Sequence, residues 1–436
     1  SRFIRSLGPA LVVASVVLGP GSLLISSRVG CQYGYEMLWL VAAAGLLMTA
    51  MTILGATLGS SDLRTPCVEV AERFGRPAAL LVGGVLFLII VCFQVTNNVA
   101  VLDALQTLSP RADAPDVGAK AEGAAAKEGR SGRIAGLVAL NLLVVATLYG
   151  LRSVYGPVEK LMKTLVLVML IGFTCNLALA RPDLAGVAKG LIPALPAVEG
   201  SGFLPTRSAS GVADPWWAIQ GLIATTLSIA GAFFQIYLAR EKQWTSAQVR
   251  ERIVDASTGI AALGIVSMVV MSTSAAALHG RVEPNQLATV SDVAAQLQPL
   301  FGSYAGALFS AGIFAAAFSS FLGYALIGGV VLADALGRDA SLSGPWARGL
   351  TTIALGVSAI AAIAATATGG STVGLILFAQ ALTVLGVPLL GLVMLWLGWQ
   401  RRFDVGQFPL AAAAIATALT AALAVRTAYR LYLQLS

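Results

Sequence analysis

The chain has 436 residues, of which 57% are hydrophobic and only 11% charged, with a formal net charge of +7. A soluble protein usually has about a quarter of its residues charged. Surface-to-volume scaling excludes one dry core of this size, and no polar stretch is long enough to surface a soluble domain, so the composition places the chain in a membrane.

The excess of Lys and Arg does not point to nucleic acid, because it is spread over short connectors between apolar runs, as the positive-inside rule requires. Cys31, Cys67, Cys92 and Cys175 lie in or near apolar segments without CxxC spacing and are expected to be small buried hydrophobes. The segment from Ser1 to Gly8 is short and basic, and no small-residue cleavage pattern follows it, so no cleavable signal peptide is expected.

About 20 apolar residues are needed to cross the hydrocarbon as a helix. On that scale the sequence holds eleven candidate spans: Pro9 to Gly30, Tyr35 to Leu58, Ala78 to Leu108, Ile134 to Gly150, Val158 to Ala180, Trp216 to Ala239, Val254 to Leu278, Tyr304 to Leu332, Leu350 to Ala367, Val373 to Leu397 and Phe408 to Leu431. Their charged connectors alternate. Arg2, Arg5, Arg64, Arg73, Arg76, Arg152, Lys160, Lys163, Arg240, Lys242, Arg250, Arg252, Arg338, Arg348, Arg401 and Arg402 fall on one side, and only Arg281 lies in a short loop on the other. The expected topology has the N-terminus in the cytoplasm and the C-terminus outside, in a bacterial inner membrane. The outer segment 109–133, rich in Ala, Gly, Lys and Glu, reads as mobile or weakly helical.

Eleven spans suit two five-helix repeats plus one extra helix. Five is odd, so the second repeat is inverted relative to the first, as in many secondary transporters, whose substrate lies where two helices are interrupted. The expected division is 1–180, an outer connector 181–215, 216–400, and a last helix in 401–436.

The sharpest local feature is Gly19-Pro20-Gly21-Ser22 in the middle of span one. Proline removes a donor and clashes with the preceding turn, and each glycine costs about 1 kcal/mol within a helix. Ser22 is expected to N-cap a second half-helix, and the freed backbone groups must face protein or a wet cavity. Span six, the first helix of the second repeat, has Gly231 within Thr225-Thr226-Leu227-Ser228-Ile229-Ala230-Gly231-Ala232-Phe233-Phe234-Gln235 but no proline. It admits either a second break or a continuous helix with a small-residue face.

At these residues the chain resembles the Nramp family of divalent-metal transporters. The family's Asp-Pro-Gly-Asn matches Gly19-Pro20-Gly21-Ser22, and its Gln-Phe-Gly-Tyr matches Gln32-Tyr33-Gly34-Tyr35. Further likeness runs through Val158-Glu159-Lys160-Leu161, Arg181-Pro182-Asp183, Gly190-Leu191-Ile192-Pro193 and Ala315-Ala316-Ala317-Phe318-Ser319-Ser320. The resemblance implies an all-α, LeuT-like fold with helices one and six interrupted, working by alternating access.

It also implies departures. The family's first-helix metal ligands fall on Gly19 and Ser22, its Met-Pro-His on Ala232, Phe233 and Phe234, its third-helix acidic pair on Gln94 and Asn97, and its eighth-helix glutamine on Phe318. Transition metals want imidazole, thioether or carboxylate, and a bare divalent charge at midplane is costly. Asp103 is the nearest acid candidate, and His279, the one histidine, reads as an outer interfacial residue.

Gly19, Pro20, Gly21, Ile229, Ala230, Gly231, Ala232, Phe234 and Phe318 therefore frame the expected site, and the neutral groups Ser22, Ser26, Gln94, Asn97, Asn98, Thr226, Ser228, Gln235, Ser319 and Gln380 would serve as donors. Half-helix N-termini carry about half a positive charge and bind anions, which favours a bicarbonate-like substrate. The alternatives are Mg²⁺ or Mn²⁺ transport, or a receptor or structural protein that no longer transports. Arg28 does not share a face with Ser22 and reads as a snorkelling residue. No resident metal or other cofactor is expected, and Na⁺ or H⁺ is the possible coupling ion. The expected partners are lipid and a small inorganic ion, with no nucleic acid, and the chain is expected to act as a monomer. No HExxH, GxSxG, P-loop or triad pattern points to an enzyme.

Overall fold

The computed structural model describes residues 9–61, 64–108, 124–150, 155–195, 203–208, 211–245, 247–287, 293, 303–368 and 372–435. Side chains within 102–108, 124–131, 303–309 and 365–385, and at a few single positions, lie outside that description, so Asp103 and Gln380 are placed by backbone alone.

The described chain is almost wholly helical. Span one is two helices, α1 (Pro9–Val17) and α2 (Pro20–Tyr33). After it come α3 (Leu38–Ser61), the short α4 (Pro66–Phe74), α5 (Arg76–Leu108), α6 (Ala124–Gly150) and α7 (Tyr155–Ala180). The outer connector holds α8 (Leu184–Gly190), capped by Asp183, and a two-stranded hairpin, β1 (Thr206–Ser208) with β2 (Gly211–Ala213). Span six is again two helices, α9 (Trp217–Thr226) and α10 (Ile229–Glu241). The chain ends with α11 (Val249–Ala277), α12 (Ser303–Ala335), α13 (Pro345–Thr368), α14 (Thr372–Gln400), the four-residue α15 (Arg402–Val405) and α16 (Gln407–Leu435).

Eight helical stretches among the described residues, α9 and α10 together making one of them, are long and apolar enough to span a bilayer, and Ile134–Gly150 and Gly386–Gln400 are shorter apolar helices. With the divided span one these occupy the eleven expected positions. The protein is an integral membrane protein. Segment 109–133 departs from the expected loop: α6 already begins at Ala124, while 109–123 lie outside the described residues.

Two packed groups of helices position the breaks. α12 lies along α5 and also contacts α13 and α7. Separately, α10 packs on α3, and α11 packs on α1, α2 and α3. The closest approaches use glycine, because no hydrophobic drive toward apolar partners exists in lipid and contact must come from fit. A Cβ on Gly55 of α3 would sit 2.4 Å from the Ala232 carbonyl, and one on Gly323 of α12 only 1.8 Å from a Val16 methyl.

The cysteine expectation holds at Cys31 and Cys67, which are buried, whereas Cys92 is half-buried and Cys175 exposed on α7.

Candidate functional site: two broken helices

Pro20 has no N–H, and Gly19 turns its own N–H back to the Val17 carbonyl at 2.8 Å. In a continuous helix these two residues would have served the carbonyls of Val16 and Ser15. Instead α12 supplies both donors: Ser319 Oγ donates to Ser15 O at 2.8 Å, and Ser320 Oγ donates to Val16 O. The adjacent serines are thus the backbone partners of the break. This corrects the expectation that Ser319 is a free donor for substrate.

Ser22 does not cap α2. Gly19 is the N-cap, in an extended conformation with no side-chain cap bond, because Pro20 is already suited to the first helical position. Gly21 and Ser22 lie inside the first turn, and the Ser22 and Leu23 amides bond Gly19 O at 3.1 and 3.3 Å. The Leu18 carbonyl thereby loses its helical donor. Ser22 Oγ is buried without a hydrogen-bond partner, and Ser26, one turn on, is also buried.

The open question in span six resolves as a break. The helix stops at Thr226, and Leu227 and Ser228 take ψ of 76° and 86°. Ser228 caps α10, with its Oγ accepting from the Gly231 N–H at 3.3 Å. The Tyr324 ring of α12 stacks on Phe93 of α5 at 5.0 Å. That contact was not foreseen, since nothing in the sequence links these positions. Gly231 faces α1: a Cβ there would lie 2.9 Å from Val13 and 3.2 Å from Val17. The two breaks therefore adjoin. Thr226, Ile229, Ala230, Ala232 and Phe234 are all buried around them.

The amides of α5 bear on the first break with a defined polarity. Gln94 Nε2 donates to the Phe321 carbonyl at 2.7 Å, so its Oε1 faces the other way and accepts from Asn97 Nδ2 at 3.1 Å. Asn97 then turns its Oδ1 toward Gly19, 3.9 Å from where a Cβ on that glycine would stand. Asn98 donates to Gln94 O at 2.9 Å and accepts from Asn141 at 2.7 Å, which ties α5 to α6 away from the break. The described bonds of Gln94 and Asn98 thus run within the protein. Gln235 likewise points its amide nitrogen at the buried Asp255 carboxylate, 3.4 Å away, and that carboxylate also accepts from the Ala10 N–H at 2.9 Å. Gln235 Oε1 is buried without a partner. Phe318 stacks on Phe314 at 5.6 Å, and Gln380 lies in α14 with its side chain outside the described residues.

Two buried acids eluded the sequence reading. Asp255 stood at the expected edge of span seven, and Asp334 stood two residues beyond the expected end of span eight. Asp334 accepts from Tyr237 Oη at 2.6 Å, from the Cys67 N–H at 3.0 Å and from the Thr65 hydroxyl, so it joins α12 to α10 and α4. At the opposite face, Arg426 of α16 ion-pairs with Asp214 and donates to Gln220 of α9. His279 Nδ1 meets the Cys31 carbonyl at 2.8 Å, and Arg28 donates to Pro284 O at 3.3 Å, so the pair ties α2 to the segment that follows α11. Among the described residues no group of three or more His, Cys, Asp and Glu side chains would hold a metal ion.

Paired discontinuous helices, buried side by side in a bundle of membrane-spanning helices, define a secondary transporter of the inverted-repeat, LeuT-like class. Residues 10–432 match the family model described as natural resistance-associated macrophage protein-like, and the chain belongs to that Nramp family. It is 25% identical over 405 residues to the divalent metal cation transporter MntH of Deinococcus radiodurans, covering 93% of this chain and 84% of that one. The corresponding protein of Pectobacterium carotovorum is 25% identical over 329 residues, covering 75% of this chain and 71% of the relative. Among solved structures, a mutant of the Eremococcus coleocola manganese transporter superposes with a TM-score of 0.76 at 17% identity, covering 98% of this chain and 85% of that one. MhsT in complex with L-phenylalanine gives 0.54 at 18% identity, covering 98% of both chains.

Proposed function

We propose that this chain carries a divalent cation across the membrane by alternating access. The observation that carries the reading is the polarity of the buried amides. Carbonyls only accept, so the bond from Gln94 to Phe321 O fixes Gln94, and Gln94 fixes Asn97 with its oxygen toward the break. Gln235 also has its nitrogen committed and its oxygen unpartnered. With the released Leu18 carbonyl, the breaks offer oxygen acceptors, which suit a cation.

This weighs against the inference from neutral donors to a bicarbonate-like anion, because Gln94, Asn97, Asn98 and Gln235 each already commit their amide nitrogen to a partner within the protein. The named functions of the relatives agree with a cation: both curated proteins are divalent metal cation transporters, and the solved structure is a manganese transporter. Neutral oxygens compensate dehydration poorly, so the ion keeps part of its water shell, as Mg²⁺ does readily and Mn²⁺ also tolerates.

One observation favours the anion as second reading: the amides of Ile229 and Ala230 open α10 outside the helical ladder, and such termini attract negative charge. Uptake into proteoliposomes of Mn²⁺, Mg²⁺ and radiolabelled bicarbonate separates the two. Saturable divalent uptake supports the cation, and bicarbonate uptake alone would overturn it. We further propose a bacterial inner-membrane location with the N-terminus inside, repeats at 1–180 and 216–400, and coupling to H⁺ or Na⁺.

A further inference from the structure

We infer that Gln94 is a positioning residue that sets the sign of the site by holding Asn97 in one orientation; this rests on the cation reading above. An asparagine amide is nearly symmetric in shape, so packing alone would let Asn97 present either NH₂ or oxygen to Gly19. What selects the oxygen is a one-way chain of hydrogen bonds. The Phe321 carbonyl can only accept, so it takes Gln94 Nε2 at 2.7 Å. Gln94 Oε1 is left to accept, so it takes Asn97 Nδ2 at 3.1 Å.

Gln94 and Asn97 are 0% and 2% exposed, so bulk water is not at hand to substitute for a lost partner. The hub is also held from a second direction, because Asn98 Nδ2 donates to the Gln94 carbonyl at 2.9 Å. Gln94's own hydrogen bonds run to Phe321, Asn97 and, through its carbonyl, Asn98. Gly19 has no side chain to intervene, and the Asn97 oxygen stands 3.9 Å from where its Cβ would be, beside Ser320.

The consequence is specific. Gln94→Leu, or Gln94→Met with its similar length, releases Asn97 to turn its NH₂ toward the ion. The KM for Mn²⁺ uptake into proteoliposomes should then rise about tenfold with kcat little changed, the size expected when one hydrogen bond no longer selects an orientation. In an N97D background the two carboxylate oxygens are equivalent and neither can donate to Gln94, so adding Gln94→Leu should not raise KM.

Binding of Mn²⁺ to each variant by calorimetry should follow the same order. An equal rise in KM for Gln94→Leu in the parent and N97D backgrounds would reduce Gln94 to packing and overturn the inference. So would an unchanged KM in the otherwise unaltered protein. If the parent protein binds and moves no divalent cation while carrying bicarbonate, the cation reading fails and this inference falls with it.

Discussion

Ser319→Ala and Ser320→Ala test whether the break in span one is held open by α12. Each serine donates to a carbonyl that the break has orphaned, Ser15 O and Val16 O, and both serines are 0% exposed. Removing a donor leaves a buried acceptor unsatisfied, at about 1–3 kcal/mol each. The residues are adjacent, so the double variant need not show the sum. Thr52→Val is the control: Thr52 Oγ1 donates to Met48 O at 2.7 Å, four residues back in the uninterrupted α3, where the carbonyl keeps its helical N–H. Its loss should cost about 0.5–1.5 kcal/mol at most. Denaturant unfolding in detergent, followed by fluorescence, reads the stabilities, and Mn²⁺ uptake reads the site. Serine variants no more perturbed than Thr52→Val in both assays would refute the reasoning, because the carbonyls would then have other partners.

Two further predictions follow from packing and burial. Gly323→Val places a branched side chain where even a Cβ would meet Val16 at 1.8 Å, so α1 must move; a loss of about 3 kcal/mol or more and abolished uptake are expected, read by the same two assays. Burial, and next the nearby Asp334 charge, push the Cys67 thiol well above its ordinary range. Alkylation needs the thiolate, so the folded protein should leave Cys67 unlabelled by maleimide at pH 8 while denatured protein labels fully, as mass spectrometry would show.

The eleven spans and the first break were legible because membrane helices write themselves in composition, and Gly19-Pro20-Gly21 contradicts helix chemistry locally. The break at Leu227 and Ser228 was half legible. No proline marks it, and it is settled by the Ser228 cap and by the packing of Gly231 against the face of α1, which no local pattern encodes. Side-chain polarity was not legible at all. Gln94, Asn97 and Gln235 are amides with donors and acceptors in equal standing, and only their partners, among them Phe321 O and Asp255, reveal which end each commits within the protein. Asp334 was missed for a simpler reason: a span boundary misplaced by a few residues decides whether an acid counts as loop or core.

The most direct test of the account is initial-rate uptake of Mn²⁺ and Mg²⁺ into proteoliposomes holding the parent protein or its Asn97→Leu variant, with radiolabelled bicarbonate measured in parallel. The account predicts saturable divalent uptake by the parent, sharply reduced in Asn97→Leu, and no protein-dependent bicarbonate flux. Bicarbonate flux without divalent uptake would contradict it.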